Sequence, residues 1–279
     1  MRGTLFVVAT PIGNLEDITV RALRVLGEVA VIAAEDTRRT AQLLARHAIA
    51  TPTTSLHEHN EAARSASLVA RLERGDHIAL VSDAGTPTVS DPGERLIRAA
   101  IEAGIRVEPV PGPSAILAAL AASGLRSDSF TFLGFPPTRS KDRRLWFERL
   151  RQPGRTVVFF EAPHRIVETL RELLQVAGDC QVAVARELTK AHEEIVRGSL
   201  SSVIERLGTP RGEFTVVVEL GETTEIMPQL APDLAREFGE MTVISGFSRR
   251  KAISELAKRH GLAANSVYRA LEAAKKSVR

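Results

Sequence analysis

His77-Ile-Ala-Leu-Val-Ser-Asp-Ala-Gly-Thr-Pro-Thr-Val-Ser-Asp-Pro-Gly93 is the stretch on which the fold turns. Its first five residues are an apolar run of strand length, and a helical pattern begins directly after it at Glu94. Between them, Ser82–Gly93 places two glycines, two prolines and two aspartates in twelve residues. Proline fixes φ, and aspartate side chains hydrogen-bond the local backbone, so this composition specifies a loop of fixed shape. Open α/β sheets bind ligands at such loops, outside the carboxyl ends of their strands. The loop holds neither a G-x-G-x-x-G nor a G-x-x-x-x-G-K-[ST] pattern, which sets aside the common dinucleotide and nucleoside-triphosphate signatures.

The same rhythm continues on either side. Leu5–Ala9 and Val29–Ala34 read as strands, Ile18–Leu26 and Arg38–Arg46 as helices, and Glu61–Arg74 as an amphipathic helix. Helix Glu94–Ala103 stops at Gly104, before strand Arg106–Val110. Alternating strands and helices predict a parallel sheet with helices on both faces. Val-Pro-Gly-Pro-Ser114 then breaks the chain before an alanine-rich helix, Ala115–Ser123. In the second half Ser129–Leu133, Thr156–Phe160, Gln181–Ala185, Glu194–Gly198 and Phe214–Leu220 are strand-like, with helices over Lys141–Leu150, Arg165–Val176 and Ser201–Leu207. Fewer helices separate its last three strands, so a mixed sheet with antiparallel pairs is expected. The expected organisation is two α/β domains, 1–113 and 114–222, then a polar linker and a small helical domain over 233–279.

Composition bounds the class. At 279 residues the chain is long for one core, and with 25% charged and 44% hydrophobic residues it reads as soluble and globular. Its apolar runs, Val29–Ala34 among them, are too short to span a bilayer, and Met1-Arg-Gly-Thr4 shows no signal-peptide pattern, so a cytoplasmic protein is expected. The single cysteine, Cys180, excludes an internal disulfide, fits a reducing compartment and reads as a packing or surface thiol. Charge is unevenly spread: residues 233–279 carry ten Lys/Arg against five Asp/Glu, whereas the rest carries 27 against 29. A basic tail on a near-neutral body points to a polyanionic partner.

Four further polar loops follow expected strands: Thr10–Asn14, Glu35–Arg39, Val110–Ser114 and Phe160–Arg165. In a parallel sheet the first three converge with Ser82–Gly93 on one rim and form a composite site. Thr10-Pro-Ile-Gly-Asn-Leu-Glu-Asp17, Glu35-Asp-Thr-Arg38, Ser82-Asp-Ala-Gly-Thr-Pro87, Pro111-Gly-Pro-Ser114, Glu161-Ala-Pro-His-Arg165, Arg186-Glu-Leu-Thr-Lys190 and Gly212-Glu-Phe214 resemble the tetrapyrrole methylase family, in its branch acting on small-subunit ribosomal RNA. The likeness covers roughly residues 3–222. Relatives that methylate tetrapyrroles carry Gly-Asp-Pro where this chain has Gly85-Thr86-Pro87.

The resemblance implies two α/β domains of the tetrapyrrole methylase type holding S-adenosylmethionine between them, and a homodimer. It also implies 2′-O-methylation of a cytidine ribose in the decoding region of ribosomal RNA, naked or within the small subunit. By motif position, Pro11, Gly13, Ala84, Gly85, Thr86, Pro87, Val89, Pro111, Gly112, Ser114 and Ala115 would line the cofactor. Phe160, Glu161, Ala162, Glu187, Leu188, Thr189, Glu213, Phe214 and Thr215 would face them from the second half. No metal is implied: a sulfonium methyl is already activated, and the protein's task is in-line positioning, worth up to roughly 7–11 kcal/mol.

A ribose hydroxyl is a poor nucleophile, so a general base is expected. The rim offers Glu35, Asp36, Asp83, Asp91, Glu161, His164 and Lys190. Asp83 and Asp36 rank first as catalytic residues because they sit just past strand ends, although a loop-capping aspartate occupies the same positions. Arg165 has an alternative role, pairing with an acid to orient its loop. His57-Glu-His59 has alternating histidines with Glu61 nearby, yet reads better as a polar loop before a helix. Candidate RNA contacts are Arg38, His57, Asn60, Arg139, Lys141, Arg143, Arg144, His164, Arg165 and Lys190, with Arg249, Arg250, Lys251 and Arg269 in the tail. With one Trp and one Tyr, no stacking platform for bases is evident in the sequence. The tail, Ser248–Leu271, has helix-turn-helix rhythm and reads as an RNA or ribosome docking module. Two rival readings are a small-molecule methylase of the same fold and a nucleic-acid-binding regulator with an α/β ligand-sensing body.

Overall fold

Strands β1 (Thr4–Val8), β2 (Val31–Ala34), β3 (Thr53–Ser55), β4 (Ile78–Val81) and β5 (Arg106–Val110) pair in parallel in the order β3-β2-β4-β1-β5. Every residue of β2 and β4 is buried, because helices cover both faces. The period of two is visible in the packing. Ile78 and Leu80 meet α3 (Glu61–Glu73) and α4 (Glu94–Glu102) through Leu68, Leu72 and Leu96. Ala79 and Val81 face the other way, onto Ala22, Val25 and Leu26 of α1 (Val20–Glu28) and Leu44 of α2 (Thr37–Arg46). Strand β3 has no counterpart in the sequence reading, since three residues at a sheet edge leave no periodicity to detect. It pairs Thr53 with Ile32 and Ser55 with Ala34.

The computed structural model describes residues 1–151, 154–220, 234–244, 247–260, 267, 268 and 271. Two compact units divide the chain, Met1–Gly221 and Glu222–Arg279. Both sheets belong to the first. The second sheet has the order β6-β7-β10-β8-β9, built from β6 (Phe130–Phe132), β7 (Arg155–Glu161), β8 (Gln181–Arg186), β9 (Glu194–Ser199) and β10 (Phe214–Leu220). Only β6–β7 is parallel; the other three pairs are antiparallel. One face carries Val157, Phe159, Val182, Val184, Val216 and Val218 against α6 (Ser140–Glu148), α7 (Ile166–Ala177) and α8 (Leu200–Arg206). The opposite face receives α5 (Ala115–Ser123), which is apolar all round and buries Ile116, Ala119 and Leu120 over Val158, Ala183 and Val217. Ile12 of the first sheet's leading loop joins this same cluster, so the two sheets share a core where the loops meet.

In the second unit, helical residues 234–244 and α9 (Arg249–Arg259) enclose Leu234, Met241, Ala252, Leu256, Val267 and Leu271. Ser248 caps α9 by accepting the Lys251 N–H. The expected linker at 221–232, the turn glycine Gly261 and the positions Ser266, Arg269 and Lys275 lie outside the described residues. No helix among the described residues is long and apolar enough to cross a membrane.

The start of α4 shows how the Ser82–Gly93 loop is anchored. Gly93 occupies the N-cap with φ +125°, and a Cβ there would stand 2.6 Å from Leu80 Cδ2, so neither the backbone nor the space admits a side chain. The missing cap comes from α3. Buried Glu61 accepts the Gly93 N–H at 3.1 Å and the Arg95 N–H at 2.7 Å, satisfying orphan donors at a positive helix end. Replacing Glu61 with Ala should lower the unfolding free energy by about 1–2 kcal/mol, read as a reduced urea midpoint with unchanged slope.

Candidate functional site

The loops after β1 and β4 pair with each other. Thr10 N–H donates to the Gly85 carbonyl at 2.9 Å, and Gly85 N–H returns a bond to Thr10 at 3.0 Å, with Gly85 at φ +78°. The loop after β2 is tied in as well. Asp83 Oδ1 accepts the Asp36 N–H at 3.0 Å, while Asp83 N–H donates to Glu35 Oε2 at 3.2 Å. Arg39 Nη1 reaches Asp83 Oδ2 at 3.3 Å. Thr88 and Ser90 adopt positive φ (74° and 67°), conformations that non-glycine residues hold only when their surroundings fix them.

These loops form one wall of a cavity of about 470 Å³, within the usual range for ligand pockets. The second sheet supplies the other wall. Among the expected cofactor residues, Ala84, Gly85, Thr86, Val89, Ser114, Ala115, Phe160, Glu161, Ala162, Leu188, Glu213, Phe214 and Thr215 line it. Pro11, Gly13, Pro87, Pro111, Gly112, Glu187 and Thr189 do not border it; the contacts of four of them hold the walls. A Cβ on Gly13 would lie 2.8 Å from the Leu188 carbonyl, and Asn14 N–H donates to Thr189 Oγ1 at 2.9 Å, fastening the first sheet's loop to the second sheet's. A Cβ on Gly112 would be 3.1 Å from Ala9 Cβ. Glu187 accepts the Glu213 N–H and the Lys190 ammonium, which hold its carboxyl below its ordinary range. Ile12, Arg39, Ser90, Ile116, Phe135 and Pro163 also line the cavity and were not singled out from sequence. Ile12, Ser90 and Pro163 lie inside quoted stretches, Arg39 and Ile116 lie one or two residues past them, and Phe135 arrives from a separate loop.

One edge of the cavity is acidic, with Glu35, Asp83 and Asp91 and only Arg39 opposing them. Burial pushes the Asp91 carboxyl up to about 6, helped by the neighbouring Glu35 and Asp83 charges and opposed by a Ser82 hydrogen bond. Burial also raises Glu35. Asp36 differs from both. It caps α2, accepting the Arg38 N–H and gripping the Arg38 guanidinium at 2.8 Å, which holds its carboxyl down at about 2. It is not part of the cavity lining.

Several expected RNA contacts turn out to be internal fastenings. Glu161 is fully buried and accepts from Ala162 N–H and Thr169 Oγ1, with Arg165 Nε at 3.6 Å and Arg143 Nη1 at 4.0 Å. Arg143 also bridges to Glu172 at 3.0 Å and Thr169 at 2.8 Å. Arg165 donates to the carbonyls of Pro136 and Pro137. Lys190 is held between Glu187 and Glu213. Asn60 closes a turn on His57 and Ser55, while the His57 and His59 rings stand edge to face 6.0 Å apart. Arg38, Arg139, Lys141, Arg144 and His164 are exposed, as are Arg249, Arg250 and Lys251 on α9. There, Arg249 lies over the Tyr268 ring and Lys251 over Phe247. Arg269 lies outside the described residues.

Residues 4–204 match the family of Tetrapyrrole (Corrin/Porphyrin) Methylases. The chain is 44% identical over 269 residues to Ribosomal RNA small subunit methyltransferase I of Synechocystis sp., covering 95% of this chain and 96% of that protein. It is 49% identical over 222 residues to the protein of the same name from Xylella fastidiosa, covering 78% and 81%. Uroporphyrin-III C-methyl transferase from Thermus thermophilus, solved in complex with S-adenyl homocysteine, shares the fold with a TM-score of 0.57 at 19% identity, over 78% of this chain and 97% of that one. The cleft between a parallel and a mixed sheet is thus accompanied by a family match over most of the chain, and this protein belongs to the tetrapyrrole methylases, among the relatives named Ribosomal RNA small subunit methyltransferase I.

Proposed function

We propose that this chain transfers a methyl group from S-adenosylmethionine to the 2′-hydroxyl of a cytidine ribose in small-subunit ribosomal RNA. The observation that carries the reading is the cavity itself, apolar where Val89, Ile116, Leu188 and Phe214 meet and acidic along Glu35, Asp83 and Asp91. Such a lining fits a cofactor with a flat apolar-faced base and a cationic centre, and names of relatives at 44–49% identity support ribosomal RNA as acceptor. The bound cofactor supplies an electrophilic methyl that needs no further activation.

The chain's residues then have three tasks. The Thr10–Gly85 pairing and the Gly13 contact with Leu188 and Thr189 hold the two walls at fixed separation, the condition for in-line approach. Apolar side chains exclude water from the reacting centre. The third task is accepting the hydroxyl proton, and we assign it to Asp91 in place of the expected Asp83 and Asp36. Asp83 is occupied by the Asp36 amide and Arg39, and Asp36 by Arg38. Among the described residues Asp91 has no cation at ion-pair distance, lines the cavity and titrates near 6, close to the ideal for a base working near neutrality. A homodimer acting in the cytoplasm, with the basic tail docking on RNA or the subunit, completes the proposal.

Incubation with labelled S-adenosylmethionine and either naked ribosomal RNA, assembled small subunits or a tetrapyrrole precursor should place the label in RNA; label in the tetrapyrrole alone overturns the assignment. The pH dependence follows from the direction of the Asp91 shift. Its carboxylate must be ionised to accept the proton, so kcat/KM should fall as pH drops through about 6. An Asp91→Asn variant should lose about 10²–10⁴ in rate and with it this acidic limb, whereas Asp83→Asn should keep the limb and move it to lower pH, because the Asp83 charge helps to raise the Asp91 carboxyl. A limb that vanishes in Asp83→Asn and persists in Asp91→Asn would exchange the two roles.

A further inference from the structure

Among the described residues, Phe135 is the one large apolar side chain that lines the cavity and is also exposed, at 53%. Its position is rigid. The Gly134 carbonyl accepts the Phe160 N–H at 3.0 Å, and the Pro136 and Pro137 carbonyls accept from Arg165 Nη2 at 2.7 and 3.1 Å. Arg165 is in turn held by the buried Glu161. The Phe135 and Phe160 ring centroids are 5.4 Å apart with the planes tilted by 53°, and Phe160 meets Phe132 at 5.0 Å, while Phe135 stays 53% exposed. An apolar ring fixed this firmly at a cavity mouth is a surface prepared for a flat partner.

What surrounds the ring identifies that partner. Gly134 abuts the first wall: a Cβ there would lie 3.6 Å from Ser90 Oγ, the residue before Asp91. On the other side the chain runs into the start of α6, where Arg139, Lys141 and Arg144 are exposed and enter no ion pair among the described residues. The carboxylate, the aromatic ring and the cations stand on adjoining segments, and a nucleotide carries the groups that each would take, its ribose joining the base to the phosphates. Aromatic faces accept any base, whereas the cations recognise the backbone.

We infer that Phe135 is the stacking platform for the base of the nucleotide whose ribose is methylated, presenting its 2′-hydroxyl to the acidic edge while the flanking phosphates lie toward Arg139, Lys141 and Arg144. The inference rests on the RNA-methylation reading above and adds a residue that seats the substrate. It also reverses an expectation from composition. One correctly placed phenylalanine suffices, and the scarcity of Trp and Tyr does not bear on it.

The test uses the full chain and small ribosomal subunits from cells lacking the methylation. Stacking on an aromatic side chain is worth a factor of roughly 5 to 150 per base, so kcat/KM for the subunits should fall about tenfold or more in Phe135→Ala. Phe135→Leu should fall similarly, because it keeps the apolar volume without the π-face, while Phe135→Trp should stay near wild type. Calorimetric affinity for S-adenosylmethionine should stay within about twofold in all three. Fluorescence of Phe135→Trp, with the wild-type signal subtracted, should be quenched by a single-stranded cytidine-containing RNA. Full activity of Phe135→Leu, a parallel loss of cofactor affinity in Phe135→Ala, or conversion of a wild-type dimer to monomer by Phe135→Ala would each overturn the inference. If the wild-type chain labels no RNA, the function assigned above fails by itself, and an unquenched tryptophan at 135 then removes the stacking role too.

Discussion

The reciprocal bonds between the β2 and β4 loops are the constraint on which the site depends. Asp83 accepts the Asp36 N–H while Glu35 accepts the Asp83 N–H, so each loop's carboxylate satisfies the other's backbone. Charge-assisted bonds of this kind, partly shielded from water, are stronger than neutral ones, and losing one partner leaves a charge or an amide unsatisfied. With the Thr10–Gly85 pairing they join three loops from three different strands into one wall. The positive φ values of Thr88 and Ser90 are held by that frame, and they turn Ser90 and Asp91 toward the cavity.

The second wall is organised by a different device, a fully buried charge. Removing Glu161 from water carries a penalty that its hydrogen bonds from Thr169 and Ala162 and its ion pairs with Arg165 and Arg143 offset. An apolar replacement would stabilise a core as well, but it would not organise the chain around it. Through Arg165 the network fixes the Pro136–Pro137 turn, and through Arg143 it anchors α6. Arginines that read as phosphate contacts in sequence therefore serve to place the segment that carries the exposed aromatic ring and the free cations.

Reading the sequence located the loops better than the roles of their residues. Thirteen of the twenty residues placed at the cofactor by motif line the cavity: six belong to loops after parallel strands, which gather on one rim, and seven to the facing edge of the mixed sheet. Gly13, Gly112, Glu187 and Thr189 were drawn in by the same motifs but hold the walls together, a distinction visible only from what a Cβ or carboxylate would meet. Asp36 and Asp83 looked alike as strand-end aspartates. Arg38 takes up one and Arg39 with the Asp36 amide the other, while Asp91, deeper in the same loop, keeps a raised carboxyl. Strand β3 escaped notice because three residues offer no period.

By itself the sequence determined the alternation of strands and helices, the parallel character of the first sheet, the mixed character of the second and the family to which the loops belong. These follow from local periodicity, turn chemistry and motif order, all of which are written along the chain. Only the tertiary structure decided that Asp91 lines the cavity with no cation at ion-pair distance among the described residues, which arginines are internal and that Phe135 borders the same cavity. Those facts depend largely on pairings between residues 18 to 48 positions apart and across two sheets, with Asp36–Arg38 and Glu161–Arg165 as the local exceptions, and burial arises from such long-range packing.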